Sequence, residues 1–226
     1  MMHKEKQENR YLWNRIYIDG HQNKYPWDSV VSFIYNYRPK GISHKKIKIL
    51  EVGCGTASNL WFAAREGFNV SGIDFSKKAI EKAKKRFNKE NLKYKLEIGN
   101  FTKLPFQDNL FDIVFDRASL TCATYDDAKI AINEIRRVLK KGGKFLFTPY
   151  STTHESFQSQ KNNKDGFVKR VSKGNLRGVG HLCFYNKRRI LKILKDWKLV
   201  SINHIIKKDI YGKIRHAEWE VIVEKK

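Results

Sequence analysis

The sequence predicts an α/β fold with a doubly wound, mostly parallel sheet, and three observations predict it. From residue 47 onward, short apolar runs alternate with amphipathic stretches of helical period. The first run passes into its helix through Gly53-Cys54-Gly55, and the second run ends at an acid, Asp74. Strands separated by helices need crossover connections, which makes the strands parallel and puts helices on both faces of the sheet.

Two helical stretches precede that pattern. Residues Lys4 to Asp19 carry Tyr11, Leu12, Arg15 and Ile16 at near-helical spacing; Pro26-Trp27-Asp28 opens a second apolar stretch, Val30 to Tyr37, which Pro39 and Gly41 end. Ile47 to Val52 then reads as a buried strand, Ser58 to Glu66 as a helix and Asn69 to Ile73 as the second strand. Ser76 is placed to cap the next helix, which has Ile80, Ala83 and Phe87 on one face and its lysines on the other. Tyr94 to Ile98, Phe111 to Phe115 and Lys144 to Thr148 supply three more strands. Between the last two, Ala128, Ala131, Ile132, Ile135, Val138 and Leu139 mark a helix expected to stop at Gly142-Gly143, where a left-handed cap suits glycine. After Tyr150 the periodicity lapses, the mark of a lid or binding loop in a compact domain. A helix around Asn186 to Asp196 and two strands, Leu199 to Ile206 and Ile214 to Val223, follow. The expected organisation is a single domain with a helical cap (1–41), a core (42–149), a basic lid (150–182) and a closing helix and strands (183–226).

At 226 residues the chain can bury a sizeable core, and its hydrophobic (41%) and aromatic (13%) fractions argue against disorder despite a formal charge of +23. No apolar run approaches the roughly 18–20 residues that span a bilayer, and the first ten residues are polar. Cys54, Cys122 and Cys183 lack the paired spacing of a disulfide framework or a zinc site. A cytoplasmic protein without metal or membrane attachment is expected; nothing in the pattern sets an oligomeric state.

The sharpest motif is Glu51-Val52-Gly53-Cys54-Gly55-Thr56-Ala57-Ser58-Asn59, at a strand-to-helix junction. Two glycines one residue apart let the backbone turn tightly and approach a ligand, and a carboxylate at Asp74 can accept both hydroxyls of a ribose. A dinucleotide site would need a third glycine at position 58, which is Ser58, so the reading favours a nucleoside ligand without a pyrophosphate.

At this point the sequence resembles the class I S-adenosylmethionine-dependent methyltransferases, over residues 46–149. Glu51, Gly53 and Gly55, with Asn59 following, match the motif that in that family surrounds the methionine and ribose parts of the cofactor. Asp74 and Phe75, in Gly72-Ile73-Asp74-Phe75-Ser76, match the ribose-binding motif. Gly99-Asn100-Phe101 with Leu104-Pro105-Phe106 matches the segment that flanks the adenine. Phe111-Asp112-Ile113-Val114 and Val138-Leu139-Lys140-Lys141-Gly142-Gly143 complete the spacing. The chain departs from the pattern at Ala57, where the family often has glycine, and at Asn100, where it commonly has aspartate. The resemblance implies the Rossmann-like methyltransferase fold, a seven-stranded sheet with one antiparallel strand, S-adenosyl-L-methionine as cofactor and S-adenosyl-L-homocysteine as product.

Ligands of open parallel sheets bind beyond the carboxyl ends of the strands. That rule selects Asp116 and Arg117 after the fourth strand as contacts of cofactor or substrate, Asp116 also as a catalytic candidate. After the fifth strand, His181 is the first candidate for a base, because an imidazole titrates near neutrality, with His154 as a second. Tyr11, Trp13, Tyr25 and Trp27 in the N-terminal extension can stack on cofactor or substrate. The lysine-rich helix after Asp74 reads as a solvated outer face. Lys161, Lys164, Lys169, Arg170, Lys173 and Arg177 are instead positioned to meet an anionic acceptor. The function expected is methyl transfer to an oxygen or nitrogen of a small polar or anionic molecule. RNA methylation is the alternative; a protein that binds the cofactor without catalysis is the second.

Overall fold

The structure, a computed structural model, describes residues 2–160 and 165–226, with side chains from Asn9 onward. Lys161 and Lys164 lie outside the described residues. In chain order the elements are α1 (Met2–Ile18), α2 (Asp28–Tyr37), β1 (Lys48–Val52), α3 (Ser58–Arg65), β2 (Asn69–Asp74), α4 (Lys77–Lys89), β3 (Lys95–Ile98), β4 (Phe111–Asp116), α5 (Tyr125–Val138), β5 (Leu139–Phe147), α6 (Glu155–Gln158), β6 (Phe167–Val168), β7 (Leu182–Cys183), α7 (Lys187–Ile193), β8 (Lys198–Lys208) and β9 (Ile214–Glu224).

Seven strands form one sheet in the order β3-β2-β1-β4-β5-β9-β8. β1 through β5 are mutually parallel, and β9 enters antiparallel between β5 and β8. β1 lies between β2 and β4, with Val52 in register with both Ile73 and Asp116. The sheet is therefore wound in both directions from β1, and the crevice between the carboxyl ends of β1 and β4 is where this topology leaves room for a ligand.

Alternate residues of each strand feed two cores. Leu50, Val114, Phe145 and Phe147 pack with α5 and α7; Ile49, Ile113, Phe115 and Leu146 pack with α2, α3 and α4. Val30, Phe33 and Ile34 of α2 belong to that second core, so α2 is a layer helix, and the parts of the N-terminal extension that line the crevice are α1 and His21, Asn23 and Trp27 after it. The Ser76 side chain caps α4 by accepting from Ala79 N, and its hydroxyl donates to Asn14 Oδ1 of α1 at 2.6 Å. The basic face of α4 is not wholly solvated: Lys82 donates to the carbonyl of Tyr17, and Arg86 to those of Asn23 and Lys24.

Gly142-Gly143 does not cap α5. The helix ends at Val138, Leu139 is already extended (φ −77°, ψ 140°), and Gly142 (φ +74°) lies inside β5, whose pairing with β4 shifts register between Phe111 and Ile113. The aperiodic stretch after Tyr150 contains α6 and the two-stranded β6–β7 sheet around a small core of Val168, Val171, Leu182 and Phe184. Elements of two to four residues are too short to print a period. β8 is the outer edge of the main sheet, eleven residues long, and Tyr211 in the turn after it is 87% exposed. Among the described residues no helix is long and apolar enough to cross a membrane, and no cluster of metal-ligating side chains occurs.

Candidate active site

β1 delivers Glu51 to the floor of the crevice. Its Oε1 accepts from Asn59 Nδ2 at 2.7 Å, and Asn59 Oδ1 in turn accepts from Trp27 N at 2.9 Å, fixing the entry of α2. Glu51 Oε2 is buried without a partner, and burial pushes this carboxyl well above the usual range. The turn that follows needs its glycines: Gly53 and Gly55 have φ of +64° and +53°, and a Cβ on Gly55 would lie 2.6 Å from the Tyr17 hydroxyl.

Asp74 closes this turn from β2. Its Oδ2 accepts from Gly55 N at 2.9 Å and its Oδ1 from Ser76 N at 2.8 Å. Burial raises the carboxyl to about 6, against the pull of those two N–H groups. The resulting cavity, about 580 Å³, brings together Trp13, Trp27, Glu51, Gly53, Gly55, Asn59, Asp74, Phe75, Phe101 and Arg117. Next to it lies a second pocket of about 340 Å³, which shares Phe75, Gly99, Phe101 and Cys122 with the first and adds Asn100 and His181. The orphaned Glu51 oxygen, the glycine cradle, the ribose-height acid and the flanking aromatic rings fit an elongated nucleoside carrying a cationic amino-acid tail.

A family model described as a methyltransferase domain matches residues 43–216. The chain belongs to the class I S-adenosylmethionine-dependent methyltransferase family. Malonyl-[acyl-carrier protein] O-methyltransferase of Buchnera aphidicola is 29% identical to this methyltransferase domain over 177 residues, 70% of this chain and 67% of that one. An uncharacterized protein of Haemophilus influenzae is 37% identical over 109 residues, 47% of this chain. The domain spans only 43% of that relative's length. Among solved structures, a SAM-dependent methyltransferase from Methanosarcina mazei superimposes with a TM-score of 0.70 at 19% identity, covering 85% of this chain and 96% of that one. The cofactor of the family is S-adenosylmethionine, and the residues in the crevice fit it.

Two candidates are absent from the linings of the methyltransferase crevice. Asp116 is fully buried, and its Oδ1 accepts from Ser119 N (2.9 Å), Leu120 N (3.0 Å) and the Ser119 hydroxyl. Burial raises its carboxyl to about 6. Its Oδ2 is buried without a partner. Asp116 builds the turn that presents Arg117 and Ser119, and at full burial outside the cavity linings it does not reach cofactor or substrate. His154 is also fully buried; its Nδ1 accepts from Ser156 N to cap α6, and burial, together with nearby His216, lowers it to about 4. It is a neutral cap with no access to substrate. Tyr25 is 76% exposed and stands outside the cavity linings.

Tyr11, Lys169, Arg170 and Arg177 line a separate outer groove between α1 and the segment after Tyr150, which His181 borders on one side. His181 thus stands beside Asn100 and Phe101, and Asn100 spends its carbonyl oxygen on Thr102 N at 2.9 Å. Arg117 lies 4.0 Å over the ring of Trp27 and is ion-paired to Glu218 at 3.0 Å. Sequence reasoning missed Tyr17, Ser119, Tyr150 and His216, which also line the main cavity. The segment 116–120 was in view, but Ser119 carries no motif of its own; His216 lies in an alternating strand, where one histidine gives no signal.

Proposed function

We propose that the protein transfers the methyl group of S-adenosylmethionine to an oxygen or nitrogen of a small polar or anionic molecule. The observation that carries this reading is the lining of the main cavity. The glycine turn shares it with Trp27, Arg117, Tyr150, Leu176 and His216. A cavity of this size, mostly apolar with a few convergent polar groups, suits a small ligand. The basic set Lys169, Arg170 and Arg177 lies in the outer groove and does not line the main cavity.

When bound, the cofactor supplies a methyl group already activated by its sulfonium. The task of the chain is to hold and align. Glu51 offers its free oxygen to the amino group of the cofactor tail, Asp74 its carboxylate to the ribose hydroxyls, and Phe75 and Phe101 their rings to the adenine. Trp27 and Arg117 fix the acceptor. Orientation of this kind contributes on the order of 7–11 kcal/mol to bimolecular reactions. On this reading the whole chain acts as one domain, with α1 and the segment after Tyr150 closing the crevice.

Incubation with methyl-labelled S-adenosylmethionine and pools of hydroxy acids, amines, phenols and RNA tests the proposal. Label should enter a small molecule. Label in RNA alone would replace this reading, and cofactor binding without label in any pool would assign a binding role.

A further inference from the structure

We propose that His216 is the general base of the transfer, taking the proton of a hydroxyl or ammonium acceptor held between Arg117 and Tyr150. This rests on the methyltransferase reading above. His216 and Glu218 are two residues apart on β9, so their side chains point to the same side of the strand. The imidazole Nε2 lies 3.3 Å from Glu218 Oε2, and the ring lines the cavity. Glu218 is 11% exposed and ion-paired at 3.0 Å to the equally buried Arg117. Burial pushes the Glu218 carboxyl up, but neighbouring His216 and the charge of Arg117 outweigh it and hold it below the usual range.

On this proposal the imidazole proton sits on Nε2, beside the Glu218 carboxylate, and Nδ1 keeps its lone pair. Three further titratable groups face the ring. The rings of Tyr150 and His154 lie 5.9 Å and 5.1 Å away, and Lys207 is its register partner on β8. His181, by contrast, opens toward Asn100 and Phe101.

In the step itself, the acceptor's bond to hydrogen breaks and the proton passes to Nδ1. The freed electron pair forms the bond to the methyl carbon as the carbon–sulfur bond breaks, and that bond's pair remains on sulfur. The proton then leaves His216 for solvent. Glu218 acts as a positioning residue.

Two measurements test the assignment. Nitrogen NMR of the protein saturated with S-adenosylhomocysteine should find His216 as the Nε2–H tautomer, and Glu218→Gln should redistribute it; an Nδ1–H tautomer in the unaltered protein overturns the proposal. With whichever pooled hydroxy acid or amine takes label, His216→Gln should lower kcat by about 10²–10⁴-fold and abolish the rise of rate with pH. Its affinity for S-adenosylhomocysteine should be unchanged, and added imidazole should restore part of the rate in His216→Ala. An unaltered kcat and pH profile in His216→Gln overturns the base and leaves the methyltransferase reading standing. An unaltered protein that binds the cofactor and labels nothing instead overturns that reading.

Discussion

Ser119 packs so closely on Gly53 that a Cβ added to the glycine would lie 2.2 Å from both Cβ and Oγ of the serine. The serine cannot easily retreat, because its hydroxyl donates to the carbonyl of Val52 at 2.9 Å and its amide to Asp116. The loops after β1 and β4 therefore form one interlocked floor. Gly53→Ala should weaken S-adenosylhomocysteine binding by about tenfold or more, through a clash and a left-handed φ that together cost on the order of 1–3 kcal/mol. Ser119→Gly in the same chain should recover the clash but not the backbone strain, and calorimetry on the four members of the cycle separates the two.

The buried Asp74 carboxyl makes cofactor affinity depend on pH. Its folded value, about 6, lies above the ordinary carboxylate range. Between that range and about 6, the folded chain keeps a proton that the unfolded chain has lost, so this group makes the protein less stable as pH rises through the window. Ribose hydroxyls donate to the ionised form, so binding expels the proton. S-adenosylhomocysteine affinity should therefore rise with pH and level off above about 7, with proton release visible by calorimetry in buffers of different ionisation heat. Asp74→Ala should reduce the release to the share of Glu51, whose carboxyl burial also raises, and cost about 1.5–3 kcal/mol of binding; Asp116→Asn, outside the cavity linings, should retain it.

Ala57 has φ +56° at the start of α3, a left-handed conformation held by a residue with a Cβ. Ala57→Gly should relieve about 1 kcal/mol and raise the melting temperature by about 2–4 °C. A melting temperature that falls would mean that the packing of the Ala57 methyl outweighs the strain.

α1 is held over the crevice by Ser76 and Lys82 of the α4 segment, and the stretch after it by Arg86, which donates to the carbonyls of Asn23 and Lys24. Lys82→Ala with Arg86→Ala should loosen that helix by about 1–2 kcal/mol. Hydrogen exchange should accelerate in residues 9–18 while the strands stay protected, and S-adenosylhomocysteine should dissociate faster.

The cofactor half was largely legible because its chemistry is local. Gly53, Gly55 and Asp74 sit at strand ends that an apolar run marks, and the backbone conformations they need restrict the residue type. The proposed acceptor half was not. Arg117, Tyr150 and His216 come from segments that only the sheet order brings together, and the insertion of β9 beside β5 is invisible in the sequence of either strand. Asp116 and His154 mislead for another reason: a polar residue at the right height can turn inward to satisfy backbone N–H groups, and its sequence position looks the same in both cases.

The outer edge of the sheet gives the charge excess a second meaning. β8 offers eleven residues of unpaired backbone edge and half-exposed Leu199, Val200 and Ile206, a template on which another extended chain can add. Lys198, Lys207 and Lys208 stand at its two ends, and at low ionic strength two such edges repel each other. The protection is electrostatic and fades as salt shortens the screening length to about 3 Å near 1 M. Colloidal behaviour should therefore follow ionic strength: concentrated salt, which usually disperses basic proteins from their partners, should here lower the barrier to joining sheets edge to edge.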